Sequence, residues 1–187
     1  MPNYIGLDPS LGSFGVCVYA TTSPTRHLTS AYKSDPATGL EARLARYYGL
    51  IDPVMDRVVK WQPKLIAIEQ YVYGATGRGI VDRAEMGGIL RDRLHQTGLQ
   101  VIEVGPTTLK RFITGKGGGK GTDKVGMIMA IYQRYGVDFS GKTSDEADAY
   151  GLARLAAVYN GSEKPQTKFQ EEAVAVVRNP KVKTRRQ

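Results

Sequence analysis

Apolar residues in this chain first alternate in short runs and later recur every three or four positions. Tyr4-Ile5-Gly6-Leu7 and Phe14–Ala20 read as strands, separated by the Gly/Pro-punctuated turn Asp8-Pro9-Ser10-Leu11-Gly12. His27–Tyr32 is a third strand, completing an antiparallel meander. Leu40, Leu44, Tyr47, Ile51, Met55 and Val58 then step at helical spacing, and Pro53 kinks or restarts that helix. Lys64–Glu69 is a short buried strand, and Tyr71–Gly79 a loop rich in glycine and aromatics. Ile80–Gln96 is a helix with Ile80, Ala84, Leu90 and Leu94 on one side, interrupted by Gly87 and Gly88, so that either the helix is weak there or another backbone approaches closely. Leu99–Val104 is a strand and Thr107–Ile113 a short helix. Gly115–Gly121 is a flexible basic loop. Asp123–Tyr135 is a helix capped by Thr122 and closed by Gly136, and a last helix runs over Ser144–Tyr159.

Two of the apolar runs end in an acid, Asp8 and Glu69. The last helix carries Asp145 and Asp148 in step with Leu152, Leu155 and Tyr159, so its packing face aims both carboxylates inward. Glu146 falls off that face and is expected in solvent. Carboxylates among packed apolar groups cost free energy unless something pairs with them. Convergent oxygen ligands suit hard divalent cations such as Mg²⁺. A pair of such ions roughly 3.5–4 Å apart is a phosphodiester-cleaving arrangement.

Composition adds an anionic partner. The 187 residues hold 26 Lys and Arg against 18 acids, a net charge of +8, which favours nucleic acid. Length and composition suit one globular domain over 1–161. The segment 162–187 reads as a basic, flexible tail, with Arg178, Lys181, Lys183, Arg185 and Arg186 at its end. Cys17 is the only cysteine and is expected to be buried; no intrachain disulfide can form. No stretch approaches a membrane span and no secretion signal is visible, so no membrane partner and a cytoplasmic location are expected. Gly136–Thr143 fits the pattern GxxxxGK[ST], yet a helix rather than a strand should precede it, which disfavours nucleotide binding. His27 and His95 lack metal-ligand partners at zinc spacing.

The order of elements, with Ile5-Gly6-Leu7-Asp8-Pro9-Ser10 and Gly15-Val16, Ala67-Ile68-Glu69-Gln70, Lys110 with Thr114-Gly115, Lys124, and Asp145 through Ala153, resembles the RuvC-type Holliday-junction resolvases of the ribonuclease H-like superfamily. The resemblance implies an α/β fold with a central five-stranded mixed sheet flanked by helices. It implies a homodimeric endonuclease that cuts four-way DNA junctions with two Mg²⁺ ions per site, Mn²⁺ being able to substitute. Asp8, Glu69, Asp145 and Asp148 would be the metal-binding catalytic set. Lys124 and Lys110 would engage the scissile phosphate, and Tyr71 or Tyr73 would stack on an unpaired base at the junction centre. Lys116 and Lys120, in a loop unusually rich in glycine and lysine, would add DNA contacts. That loop and the basic end are reminiscent of phage-encoded members, acting in a bacterial or phage-infected cell. A broader branched-DNA or flap endonuclease and a non-catalytic junction-binding protein are the alternatives; four convergent carboxylates beside a phosphate argue against the second.

Overall fold

The computed structural model describes residues 2–22, 26–71 and 79–180. Strands β1 (Asn3–Asp8), β2 (Ser13–Ala20) and β3 (Arg26–Lys33) form the meander. Helix α1 (Leu40–Trp61) leads to β4 (Leu65–Glu69), α2 (Gly79–Gln96) to β5 (Val101–Val104), and α3 (Pro106–Thr114), α4 (Lys124–Tyr135), α5 (Ser144–Tyr159) and α6 (Lys168–Arg178) follow. The sheet order is β3-β2-β1-β4-β5, antiparallel across β3, β2 and β1 and parallel across β1, β4 and β5. The expected five-stranded mixed sheet is therefore present. No helix among the described residues is long and apolar enough to cross a membrane.

Alternation along the central strands divides the core in two. Ile5, Leu7, Val16, Val18, Ile66 and Ile68 face α1 and α2. Tyr4, Cys17, Tyr19, Leu65 and Ala67 face the side covered by α3 to α6. By the same period of two, Gly6 and Asp8 belong with Tyr4, and Glu69 with Ala67. Both strand-end acids thus lie on the α5 face.

Two strand glycines let α5 sit close to that face. A side chain on Gly6 would run into the backbone of Ala149 and Ala153, and one on Gly15 into the backbone of Asp145. Gly15 is the β2 partner of Asp8, so the contact that seats the start of α5 is made beside the first acid. Glycine weakens a strand interior, and close backbone approach is a reason to keep it there.

Several expectations need correction. The segment after Ser162 is not all tail. Phe169, Ala173, Val174 and Val177 make an apolar stripe on α6, burying Ala173 and Val174 in the core. The Phe169 ring packs on Gly115 and under the Arg134 guanidinium, 4.7 Å from its centroid. Gln170 donates to the Tyr135 hydroxyl at 2.7 Å. Residues 181–187 lie outside the described residues. Helix α1 runs unbroken through Pro53, because Leu50, Ile51, Val54, Met55 and Val58 are all buried on the sheet, and that packing outweighs one missing backbone bond. The cap of α4 is Asp123, which accepts from the Gly126 N–H at 3.0 Å, while the Thr122 hydroxyl donates backward to the Gly119 carbonyl. On α2 the buried residues are Met86, Gly87, Leu90 and Leu94, with Ala84 exposed. Gly87 accommodates the Tyr71 ring of the same chain, whereas Gly88 faces open space.

Candidate active site

The C-terminal ends of β1 and β4 lie side by side, since Leu7 pairs with Ile68 in parallel register and the next residues are Asp8 and Glu69. The turn after Asp8 is held from outside. Arg46 on α1 donates to the Leu11 carbonyl at 3.0 Å and to Ser34 Oγ at 2.8 Å, and Ser34 Oγ itself donates to the Leu11 carbonyl. Glu69 is held through its backbone. Arg91 on α2 donates to the Glu69 carbonyl at 3.2 Å, to Glu103 at 2.7 Å and to the Gly87 carbonyl at 3.2 Å. The sequence reading missed Arg46, Ser34 and Arg91, which carry no signal until the fold brings them there.

Asp145 and Asp148 arrive on the first turns of α5, as the helical spacing predicted. The four carboxylates act strongly on one another. Burial, the Glu69 charge and a hydrogen bond to the Glu69 carboxyl hold Asp8 well above the usual carboxylate range, with Asp148 and Asp145 adding to the effect. Burial, then the charges of Glu69 and Asp145, raise Asp148 from an ordinary 3.8 to about 7. Lys110 and Lys124 pull Asp148 the other way. Each lysine is positioned by a close contact. Gly151 on α5 leaves room for Leu109 and Ile113, so α3 packs against α5 with Lys110 beside them. Gly126 lets the Gly121 backbone fold onto the first turn of α4, where Lys124 stands.

Among the described residues no three His, Cys, Asp or Glu side chains are already closed to metal-ligand geometry. The donor set nevertheless fits a divalent cation. It is all oxygen, it lies at one end of the sheet, and burial with neighbouring negative charge makes Asp8 and Asp148 hold their protons more tightly than usual. A cation there would replace protons and draw the carboxylates together. Asp8, Glu69, Asp145 and Asp148 are the residues that would hold it.

The remaining predicted residues divide. Lys116 and Lys120 are exposed on the connection from α3 to α4. That connection is a folded turn rather than a free tether: the Lys116 N–H donates to Thr114 Oγ1 at 3.1 Å, and Gly115, Gly119 and Gly121 take the left-handed backbone. The Tyr71 ring is packed against Gly87 and lies 4.0 Å beneath the Arg91 guanidinium. Tyr73 lies outside the described residues. Glu146, expected in solvent, is buried. The stretch resembling a phosphate loop follows helix α4, and its Lys142 donates to Thr29 Oγ1 while Thr143 caps α5.

Comparison with known proteins bears on the fold and the family. Residues 4–155 match the family model described as crossover junction endodeoxyribonuclease RuvC. A protein of that name from Zymomonas mobilis is 26% identical over 161 residues, covering 85% of this chain and 92% of its own. One from Paracoccus denitrificans is 29% identical over 150 residues, covering 80% and 87%. The solved structure of Thermus thermophilus RuvC in complex with Holliday junction substrate superposes with a TM-score of 0.69 at 18% identity, covering 87% of this chain and 96% of that one. Helix α6 begins beyond the matched residues.

Proposed function

The chain belongs to the RuvC family of crossover junction endodeoxyribonucleases, and from that premise we propose that it resolves four-way DNA junctions by paired, Mg²⁺-dependent phosphodiester hydrolysis. The observation that carries this reading is the convergence of Asp8, Glu69, Asp145 and Asp148 at one end of the sheet, with Lys110 and Lys124 beside them. Two bound Mg²⁺ ions, or Mn²⁺, supply water activation and charge stabilisation of the leaving oxygen. The four carboxylates hold and space that charge. Lys124, exposed at the head of α4, and Lys110 on α3 offset the charge of the scissile phosphate. Lys116 and Lys120 hold the DNA backbone at the rim of the site without reading its sequence.

Cutting both strands of a junction calls for two sites on opposed strands, hence a homodimer with isologous contacts. Val81, Ala84 and Gly88 form an exposed, small-sided face on α2 suited to that contact. Because Gly87 is filled from within the chain, Gly88 is the glycine available to a partner. The soluble composition and DNA substrate suit a cytoplasmic setting.

End-labelled four-way, flap and linear DNA incubated with Mg²⁺ or with EDTA test the proposal. Metal-dependent, symmetric incision of the four-way substrate is expected. Asp145→Asn should retain junction binding and lose cleavage, since it removes a ligand and no packing. Equal cutting of flap and four-way DNA would favour the broader branched-DNA nuclease, a reading supported by the exposed lysines of the α3–α4 turn. Near-native cleavage by Asp145→Asn would remove that residue from the mechanism.

A further inference from the structure

Glu146 stands between Asp145 and Asp148 in the sequence and is only 8% exposed. Part of its role is local. Its Oε2 accepts from the Thr143 N–H at 3.1 Å, and Thr143 Oγ1 accepts from the Glu146 N–H at 3.2 Å. That reciprocal pair is a capping box and serves many helices. The other carboxylate oxygen does something a cap does not require. Glu146 Oε1 accepts from Thr29 Oγ1 at 2.9 Å, and Thr29 lies on β3, at the far edge of the sheet. Thr29 is itself 8% exposed, and its hydroxyl oxygen accepts from Lys142 Nζ at 2.6 Å. An ammonium can only donate. Lys142 therefore occupies a lone pair of Thr29 and leaves the hydroxyl proton for Glu146, so the chain of bonds has one direction.

We propose that Thr29 and Glu146 tether the first turn of α5 to the sheet, making Glu146 a positioning residue for Asp145 and Asp148. This rests on the metal-binding reading of the four acids. The physical need is plain. Asp145 and Asp148 face Asp8 and Glu69, so this turn is brought to the sheet at a place where acid meets acid rather than apolar side chain. A first helical turn is also the part of a helix with fewest internal bonds. A buried hydrogen bond between side chains of two elements is costly to leave unmade, and so restrains both. Glu146 does not work by adding charge to the site, because the charges acting most on Asp8 are those of Glu69, Asp148 and Asp145, and on Asp148 those of Glu69, Asp145, Lys110 and Lys124. The tether also gives Lys142 and Thr143, the end of the phosphate-loop look-alike, a defined task.

Thr29→Val removes this bond and Glu146→Gln replaces its carboxylate acceptor with a weaker amide, and both leave a capping box possible, since Gln serves at that position. Three readouts on the full chain, well below its Tm, separate positioning from stability. These are backbone amide exchange over residues 144–148 without metal, Mn²⁺ affinity by electron paramagnetic resonance, and junction affinity in EDTA. Each variant should speed amide exchange and weaken Mn²⁺ binding by about fivefold, the scale of one hydrogen bond, with junction affinity in EDTA within about twofold. The double variant should add nothing further, as a shared interaction requires. Wild-type exchange and Mn²⁺ affinity in both variants, or fully additive losses, would overturn the tether. Variants that show these shifts, with a wild type that cuts no junction, would keep the tether and defeat the nuclease reading. If the wild type binds no Mn²⁺, the metal reading fails, and accelerated or unchanged exchange then decides the tether alone.

Discussion

Asp148 retains its proton in the metal-free fold up to about pH 7, because burial and then the charges of Glu69 and Asp145 raise it from 3.8. A carboxyl with a higher pKa in the folded state than in the unfolded state binds its proton more tightly when folded. Its contribution to stability is then full below the unfolded value and is lost as pH rises through the folded value. The gap between 3.8 and about 7 corresponds to about 4 kcal/mol over the whole range. Between about pH 6 and pH 8 the loss is about 1.4 kcal/mol, or roughly 3–6 °C in Tm for a chain of this length. Asp8, raised chiefly by burial, shifts stability with pH in the same direction. His27, held below its ordinary 6.5 by burial, slopes the other way, so the Asp148 share is read as a difference between wild type and Asp148→Asn. Thermal melts in EDTA should show the variant gaining on wild type by roughly 3–6 °C between about pH 6 and pH 8. Millimolar Mg²⁺ should raise the wild-type Tm, most at the higher pH where protons compete least, and should do little for Asp148→Asn. A difference between the two proteins that does not change with pH would refute the reasoning, as would equal stabilisation of both by Mg²⁺.

Gly15→Ala should push the Asp145 backbone off β2, at a cost of about 1–3 kcal/mol for overpacking; melts should show the loss, and metal-dependent cleavage should fall with it. Gly88→Leu should convert a dimer to a monomer in light scattering while leaving the melt nearly unchanged, whereas Gly87→Leu should lower the Tm by displacing the Tyr71 ring. Truncation after Pro180 removes Lys181, Lys183, Arg185 and Arg186 and should weaken binding to all DNA shapes alike. The slope of log affinity against log salt should fall by about 0.9 for each duplex phosphate that these side chains neutralise, with Tm unchanged; an unchanged slope would mean these residues do not touch DNA.

The acidic set was legible because it broke local rules in places where the pattern was otherwise strong. Asp8 and Glu69 end runs that are apolar throughout, and Asp148 keeps step with Leu152 and Leu155. The same patterns gave the sheet and most helices. Helix α6 was misread because its charges hid the spacing of Phe169, Ala173, Val174 and Val177, a signal that was present. Glu146 was misread because helical periodicity places a residue relative to one packing surface. Its burial comes from a second, the edge strand β3, which no local pattern reports. Its one local sign was Thr143 three residues before it, a capping box in the sequence. Gly87 was legible as a close approach but not as to what approaches, since the Tyr71 ring reaches it only after β4 and α2 are in place.

The glycines and the acids are one arrangement. Gly6 and Gly15 remove side chains from two central strands so that α5 can lie near enough for Asp145 and Asp148 to face Asp8 and Glu69. The closer the helix sits, the more the carboxyl groups are buried and the more strongly they repel, and the two effects in that order raise the pKa values of Asp8 and Asp148. Apolar packing of Leu152, Ala153 and Leu155 holds the body of the helix down, and in the first turn Ala147 alone joins that core. The turn that carries Asp145 and Asp148 therefore depends as well on protons at low pH, on a divalent cation when one is bound, on the Lys110 and Lys124 charges, and on the bond from Thr29 to Glu146. Strain of this kind belongs to the site rather than the fold. Relieving it by Asp148→Asn should give a more stable protein that no longer cuts DNA.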